Sequence, residues 1–209
     1  MNFDVIVLGG GPTGATAAMY LGKALGKAKV LLVDKADFPR DKVCGDAQGR
    51  KAARIMRELG VEEGYNSLPG QKIYGITLSS PNGTLVEVDV EKRDKPAPGY
   101  VHRRMVFDDY LFQCAKQFAT VKPVDVKDVI VEDGFVKGIV GVNKEGKKEE
   151  YRANIVLAAD GAHSMVAKKF GVDGNPPEHY IVALRAYYKN VEGMTDRIEL
   201  HLIKSLIPG

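Results

Sequence analysis

The sequence predicts an α/β protein in which a parallel sheet with helices is interrupted by a second, mainly antiparallel sheet. The first 34 residues follow the order strand, tight turn, helix, strand. Residues 71–92 then change to short alternating apolar runs, and a meander of short strands follows near residue 129. A strand, helix, strand order indicates parallel pairing, whereas short strands joined by tight turns indicate antiparallel pairing.

The composition is that of a globular chain. It has 209 residues, of which 44% are hydrophobic and 27% are charged. A chain of this size buries roughly 70% of its unfolded surface, which excludes intrinsic disorder. Its longest apolar runs fall far short of the about 18 residues that a membrane-spanning helix needs. No basic stretch precedes the first strand, so we expect a cytoplasmic protein without a secretory signal peptide.

Charge and cysteine content exclude several classes of partner. Thirty Lys and Arg residues against 27 Asp and Glu residues give a net charge of +3, which argues against nucleic acid as a partner. Cys44 and Cys114 are far apart in the sequence and predict neither a disulfide nor a zinc site. The four histidines show no metal-ligand spacing, so no metal site is expected.

A glycine-rich turn follows the first strand. Residues 5–8 form a continuous aliphatic run, typical of a strand that is buried on both faces. The next residues have the spacing G-x-G-x-x-G, in which glycines let the backbone turn sharply and approach a pyrophosphate at a helix N terminus. The turn residues expected to bind such a cofactor are Gly9, Gly11, Pro12, Thr13 and Gly14.

A helix and a second strand complete this βαβ unit. The helix is alanine-rich and covers residues 15–25, and the second strand covers 30–33. Asp34 ends that strand, about 20 residues beyond the last glycine, where an acidic residue binds the ribose hydroxyls of a dinucleotide. Lys35 is expected to contact the same cofactor. The alternative, a glycine-rich loop without a ligand, leaves Asp34 unexplained.

The spacing of hydrophobic residues changes in the middle of the chain. Residues 49–59 predict a helix, because hydrophobic residues recur at helical spacing and basic residues occupy the other face. Residues 71–92 predict a hairpin around the turn at 80–83, which begins the second sheet. The segment 92–99 contains two prolines and connects back to the first domain.

The remaining elements return to the first domain and then leave it again. A helix is expected over 107–118, with Cys114 on its buried stripe. Strands are expected over 129–132, 136–143, 149–152 and 155–159, a helix over 164–170, and strand-like structure over 179–206. Tyr187 and Tyr188 are expected in the core or in a pocket wall. We therefore expect a cofactor-binding domain over 1–70 and 100–175 and a substrate-binding domain over 71–99 and 176–209, incomplete at its C terminus.

The strand end near residue 160 resembles a flavoprotein segment. Residues 156–164, V-L-A-A-D-G-A-H-S, resemble the A-D-G-x-x-S segment of the p-hydroxybenzoate hydroxylase class, whose aspartate lies beside the flavin's pyrophosphate and ribityl region. The resemblance implies FAD as cofactor, Asp160 and Gly161 in its site, and a Rossmann-like domain of central parallel sheet, helices and β-meander. Without it, Asp160 and Gly161 form a turn that caps a helix, and that alternative stays open.

Two further segments resemble the geranylgeranyl reductase family of FAD enzymes. Residues 39–46, P-R-D-K-V-C-G-D, are similar to that family's P-x-x-x-x-C-G-D segment, and residues 104–111 to its R-x-x-F-D-x-x-L segment. The resemblance spans nearly the whole chain. It implies that Cys44 and Gly45 line the flavin pocket and that Arg104 lies near the flavin. Val126 completes the expected cofactor-binding set.

This resemblance implies an FAD-dependent oxidoreductase that reduces carbon-carbon double bonds of geranylgeranyl chains. NAD(P)H or a reduced ferredoxin would be the electron donor, and Cys44 would donate a proton. A free thiol in a glycine-bounded loop is the alternative for Cys44. Two other functions stay open: an aromatic hydroxylase-like monooxygenase, and a truncated flavin-binding module with no reaction of its own.

The expected substrate is an isoprenoid lipid. Seven basic residues between positions 35 and 57 form either a solvated surface or a site for an anionic headgroup or diphosphate. Peripheral contact with a membrane is therefore an open alternative, and the sequence predicts no oligomeric state. Members of the resembled family are longer, so we expect an N-terminal portion that retains FAD weakly or not at all.

Overall fold

The computed structural model describes residues 2–205 apart from 173, 175 and 181. The chain forms two compact units, one of Met1–Lys42 with Arg104–Ala183 and the other of Val43–Arg103 with Leu184–Gly209. The expected division into a cofactor-binding domain over 1–70 and 100–175 and a substrate-binding domain over 71–99 and 176–209 stays a prediction. Residues 206–209 of the expected substrate-binding domain lie outside the described residues. No helix in the described part of the chain is long and apolar enough to cross a membrane.

The strands, in chain order, are β1 (Asn2–Leu8), β2 (Val30–Asp34), β3 (Ala47–Gln48), β4 (Gln71–Ile73), β5 (Gly75–Ser79), β6 (Leu85–Asp89), β7 (Gly99–Val101), β8 (Thr120–Glu132), β9 (Phe135–Asn143), β10 (Lys148–Ala158) and β11 (Arg197–His201). The α-helices are α1 (Pro12–Leu25), α2 (Arg50–Leu59), α3 (Glu62–Asn66), α4 (Arg104–Phe118) and α5 (Met165–Lys169). Short 3₁₀ turns cover Lys27–Lys29 and Pro177–His179.

The sheet of the first unit combines parallel and antiparallel pairing. β1 lies between β2 and β10 and is parallel to both, with Val5 opposite Val30 and Ile155. β8 starts parallel to β2 and continues antiparallel to β9, which in turn pairs with β10. The five strands thus close into a barrel. This arrangement confirms the predicted parallel sheet and β-meander, except that the two strands expected over 149–152 and 155–159 form one continuous strand.

The core of the first unit lies within this sheet and beneath its helices. Its buried members are Phe3, Ile6, Leu8, Leu31, Val33, Val124, Val129, Ile139, Tyr151 and Ala153. Cys114 is also buried, as its place on the helical stripe predicts, and burial raises the pKa of its thiol. The aliphatic runs of β1 and β2 are covered on both faces, which explains why they lack polar residues.

The second unit contains two three-stranded sheets. β7 lies between β3 and β4 and is antiparallel to both. In the other sheet β5 pairs antiparallel with β6 and parallel with β11. The predicted hairpin turn is present, since the Gly83 N–H donates to the Ser80 carbonyl at 2.9 Å. The antiparallel character expected for the second sheet is thus largely confirmed.

The segment expected to be strand-like over 179–206 differs from the prediction. Among its described residues, only Arg197–His201 forms a strand. Tyr187 and Tyr188 are 48% and 80% exposed, so neither belongs to a core. A strand needs a neighbour for its backbone hydrogen bonds, and the described residues place no strand beside 182–190.

Candidate functional site

The glycine-rich turn packs too closely against its neighbours to admit side chains. Gly9 has a φ of +96°, and a Cβ added there would lie 2.4 Å from the Ala159 carbonyl oxygen. A Cβ on Gly14 would lie 1.8 Å from the carbonyl oxygen of Gly9. The Gly9 N–H donates to Val33 O and the Ala159 N–H donates to Leu8 O, both at 2.8 Å. The turn therefore sits where the carboxyl ends of β1, β2 and β10 meet.

The start of α1 suits an anion. The helix begins at Pro12, with Gly11 as its N-cap, and no side chain caps its first turn. Proline costs nothing at this position because its missing N–H would have no helical acceptor. No acidic residue occupies the first turn, so the partial positive charge of the helix end is not neutralised there. A phosphate group beside such a helix end accepts hydrogen bonds from the backbone N–H groups that have no helical acceptor.

Asp34 holds the glycine turn and also lines the groove beside it. Its Oδ2 accepts the Gly10 N–H at 2.6 Å and its Oδ1 accepts the Ala36 N–H at 2.8 Å. A carboxylate has about four acceptor positions, so two backbone hydrogen bonds leave room for ribose hydroxyls. Lys35 is exposed and forms an ion pair with Asp125 at 3.9 Å.

Asp160 follows β10 and uses its two oxygens differently. Oδ2 accepts the Met165 N–H at 2.8 Å at the start of α5. Oδ1 is buried and has no hydrogen-bond partner in the part of the chain that the structure describes. A buried acceptor left without a donor costs about 1–3 kcal/mol, so a donor from a ligand or water is expected at this atom. The capping role and the ligand-binding role predicted for Asp160 are thus compatible.

Two arginines lie at the groove, of which Arg104 was predicted from the sequence and Arg40 was not. Arg104 donates to both oxygens of Asp108 at 2.6 and 2.8 Å. Arg40 lies 3.4 Å from the same carboxylate, which is fully buried. A Cβ on Gly11 would lie 3.2 Å from the Nη2 atom of Arg40, so this guanidinium borders the glycine turn. Both guanidiniums are therefore held against one buried carboxylate at the edge of the groove, and their N–H groups are of the kind that binds phosphate oxygens.

Asp108 and Arg40 were not predicted as site residues, and the sequence carried a different amount of information about each. Asp108 lies four residues after Arg104 on one helix, a spacing at which opposite charges pair, so the sequence contained a local signal for it. Arg40 lies in a loop and meets Asp108 only in the folded chain. Periodicity cannot indicate such a contact.

Most of the predicted cofactor-binding residues line one groove of about 390 Å³. They are Gly9, Gly11, Pro12, Thr13, Asp34, Lys35, Arg104, Asp160 and Gly161. Val126 lines a smaller pocket of about 190 Å³, to which Gly9, Asp34, Lys35 and Asp160 also contribute. Gly14 is buried in the first turn of α1 and lines neither of these two pockets.

Cys44 and Gly45 belong to the second unit. Cys44 is an exposed free thiol, and a Cβ added to Gly45 would meet nothing within 4 Å. The two residues lie in the loop before β3. Their place beside the flavin stays a prediction.

The basic residues between positions 35 and 57 are mostly paired with acids. Five of the seven form ion pairs, namely Lys35 with Asp125, Arg40 with Asp108, Arg50 with Glu91, Arg54 with Glu58 and Arg57 with Glu62. The contact between Arg57 and Glu62 raises the pKa of the guanidinium and lowers that of the carboxyl. This pairing favours a solvated surface on α2 over a headgroup site.

Comparison with known proteins gives consistent matches. A family described as FAD binding domain matches residues 2–192. Digeranylgeranylglycerophospholipid reductase 1 of Methanothermobacter thermautotrophicus is 36% identical over 174 residues, which cover 81% of this chain and 42% of the relative. The protein of the same name in Methanosphaera stadtmanae is 31% identical over 209 residues, covering 97% and 49%. The chain thus spans about half the length of these curated relatives.

A solved structure adds to these matches. The geranylgeranyl bacteriochlorophyll reductase-like protein of Thermoplasma acidophilum superposes with a TM-score of 0.65 at 29% identity, covering 77% of this chain and 38% of that one. These similarities confirm the predicted flavoprotein fold and the resemblance to geranylgeranyl reductases. The groove also fits FAD, because it combines a backbone cradle without room for a Cβ, two guanidiniums and an unsatisfied acceptor on Asp160.

Proposed function

The chain belongs to the FAD-binding domain family, and on that premise we propose that it takes part in FAD-dependent reduction of carbon-carbon double bonds in geranylgeranyl lipids. The observation that carries this proposal is its 36% identity to a digeranylgeranylglycerophospholipid reductase, across 81% of the chain. The groove of the first unit supports it, because its residues suit a dinucleotide.

Each groove residue has a proposed role in binding. FAD, when bound and reduced by the electron donor, would supply the hydride for the reduction. The backbone at Gly9 and the start of α1 bind the pyrophosphate, and Arg104 balances its charge together with Arg40. Asp34 accepts hydrogen bonds from ribose hydroxyls, and Oδ1 of Asp160 accepts a hydrogen bond from a further hydroxyl. The remaining residues, Pro12, Thr13, Lys35, Val126 and Gly161, shape the walls.

Reduction of a double bond also needs a proton. A hydride adds to one alkene carbon and a proton adds to the other, which leaves a saturated bond. We assign proton donation to Cys44, whose thiolate then regains a proton from water. The electron donor, NAD(P)H or a reduced ferredoxin, and peripheral contact with a lipid surface belong to the same proposal.

Replacing Cys44 tests its part directly. Cys44→Ala and Cys44→Ser are expected to slow alkene reduction at least tenfold while leaving FAD affinity unchanged, because general acid catalysis contributes about 10²–10⁴-fold. Cys114→Ala is the matched control, since the Cys114 thiol is buried in α4. Turnover at the original rate in both Cys44 variants removes this residue from the mechanism.

The proposed function is tested by anaerobic reaction of the reduced flavoprotein. The protein is reconstituted with excess FAD, reduced with dithionite and mixed with digeranylgeranylglyceryl phosphate, while visible absorption reports flavin oxidation. We expect the lipid to gain two hydrogens for each flavin oxidised, measured by mass spectrometry. In a parallel reaction with oxygen and an aromatic acid in place of the lipid, hydroxylation of the acid instead identifies a monooxygenase. FAD binding without either reaction identifies a binding module.

A further inference from the structure

A pocket of about 550 Å³ lies beside the cofactor groove in the first unit. It is formed by α4, the loop after β2 and the start of β8, and its lining includes Phe38, Phe112 and Thr120. The pocket shares only Asp34 and Ala36 with the groove, so it is a separate cavity. Its volume is typical of small-molecule sites and is far larger than a phosphate ion needs.

The lining of this pocket is positively charged. Four lysines and two aspartates contribute to it, which leaves two positive charges. One of the lysines, Lys144, forms an ion pair with Asp37. Among the described residues, no carboxylate forms an ion pair with the other three, which are Lys27, Lys116 and Lys122. Lysine binds phosphate as a point charge, so the three amino groups suit a phosphorylated ligand.

Lys116 is held in place before any ligand binds. Its Nζ atom donates to Gln113 Oε1 at 2.7 Å and lies 5.2 Å from the centroid of the Phe112 ring. Phe112 is 8% exposed and stacks on Phe38, with ring centroids 4.0 Å apart and an angle of 10° between the rings. An ammonium group has three N–H donors, so two remain for a ligand. A side chain already held in one geometry loses less rotamer entropy when it binds a phosphate.

The start of β8 forms the wall that carries Lys122. Residues 120–123 pair with β2 on one edge, and β9 pairs with β8 only from Val124 onward. The described residues therefore place no strand on the other edge of 120–123, where backbone groups need hydrogen bonds from water or a polar ligand. The hydrogen bond from Tyr151 is the chief cause of the lowered pKa of the Glu149 carboxyl, to which Lys122 contributes less. The wall thus combines a half-buried ammonium with backbone groups that no strand pairs.

We propose that this pocket is a second nucleotide site, which binds phosphate groups through Lys27, Lys116 and Lys122 while FAD occupies the groove. The rest of the volume, beside Phe38 and Phe112, accepts the nucleoside. The inference goes beyond the proposed function, because the binding itself needs no redox step. The electron donor NADPH, through its 2′-phosphate, and a nucleoside triphosphate such as ATP share the required phosphate chemistry.

Calorimetric titration of the whole chain, saturated with excess FAD, tests this site. The probes are ATP, inorganic pyrophosphate and the oxidised nucleotides NADP⁺ and NAD⁺, which cannot reduce the flavin during the titration. Lys116→Gln and Lys122→Gln are each expected to weaken binding of NADP⁺ and ATP about tenfold, because each removes a charged hydrogen bond to phosphate. Lys116→Arg keeps the charge and should retain most of the affinity. Lys137→Gln is the matched control, because Lys137 also lies over an aromatic ring, 5.4 Å from the centroid of Phe135, but outside the pocket.

Several results would overturn the second site. One is unchanged affinity of Lys116→Gln and Lys122→Gln for both nucleotides, in variants that circular dichroism shows to be folded. An equal loss in Lys137→Gln would show that only the net charge of the protein matters. Binding that disappears when FAD is in excess places the probes in the cofactor groove. Pyrophosphate binding as tight as that of the nucleotides removes the nucleoside from the proposal.

The probes also distinguish the two sources of the phosphate. Highest affinity for NADP⁺ identifies the electron donor, and highest affinity for ATP identifies a free nucleoside triphosphate. Highest affinity for NAD⁺, which lacks the 2′-phosphate, contradicts the role given to the lysines. If nucleotides bind as expected but the reduced flavoprotein leaves the lipid unsaturated, the proposed function fails and the second site stands. If the lipid is reduced and no nucleotide binds, the second site fails and the proposed function stands.

Discussion

At the residue scale, one buried carboxylate organises the cationic side of the cofactor groove. Asp108 is fully buried and contacts the guanidiniums of Arg104 and Arg40 at once. Long arginine side chains lose considerable rotamer freedom when they are held in one geometry. Asp108 holds both arginine side chains in place before a ligand arrives. Less side-chain entropy is therefore lost when the ligand binds.

Asp108→Asn is therefore expected to weaken FAD affinity by about tenfold, since the uncharged amide holds the two guanidiniums less firmly. Quenching of FAD fluorescence during titration measures this affinity. Asp109→Asn is the matched control, because Asp109 is the next residue on α4 and accepts a hydrogen bond from the Gln113 side-chain amide at 2.7 Å. Equal FAD affinity in the two variants would contradict the role given to Asp108.

At the element scale, α1 and α4 approach each other closely at Gly22. A Cβ on Gly22 in α1 would lie 1.9 Å from the Phe118 carbonyl oxygen at the end of α4. The obstructing atom belongs to the backbone and cannot move away by a change of rotamer. Gly22 thus permits a helix spacing that a larger residue prevents.

Gly22→Ala tests this packing. Alanine favours a helix by up to about 1 kcal/mol over glycine, but separating two helices in a packed core costs about 1–3 kcal/mol. We expect the cost of the clash to exceed the helix preference of alanine. The melting temperature of the variant, measured by circular dichroism, should therefore be lower than that of the original protein. Gly49→Ala is the comparison, because an added Cβ there meets nothing within 4 Å. A Gly22→Ala protein as stable as the original would show that α1 and α4 can separate freely.

At the scale of the whole molecule, a buried histidine makes stability depend on pH. His102 is fully buried, stacks on Tyr100 at 5.0 Å and meets the edge of Tyr65 at 5.1 Å. Burial lowers the pKa of His102 below its ordinary value of 6.5. Between the lowered pKa and about 6.5 the unfolded chain binds the proton more readily, so acidification favours unfolding.

The free energy of unfolding is therefore expected to fall as pH decreases below about 6.5. Urea denaturation at pH 7.5 and 5.5 measures it. The variant His102→Gln has a neutral side chain at this position at both pH values. Its free energy of unfolding should therefore depend less on pH. Asp89 and Asp196, whose pKa values are lowered chiefly by hydrogen bonds from Arg93, lose their contribution only below about pH 4, outside this interval. Identical pH slopes for the original protein and His102→Gln would contradict the assignment.

Sequence by itself determined the features that depend on neighbours along the chain. Glycine spacing, aliphatic runs and the position of Asp34 predicted the βαβ unit and most of its groove, because steric freedom, strand periodicity and a strand-end acid act over a few residues. Hydrophobic alternation likewise predicted the hairpin of β5 and β6.

Only the tertiary structure decided which distant residues meet. It placed the unit boundary at Lys42, brought Arg40 to Asp108 and joined Tyr187 to Asp46. It also left most of the described residues within 179–206 without strand pairing, although the side chains there are typical of strands. Strand formation and long-range ion pairs depend on the partner that folding brings alongside, and local composition carries no information about that partner.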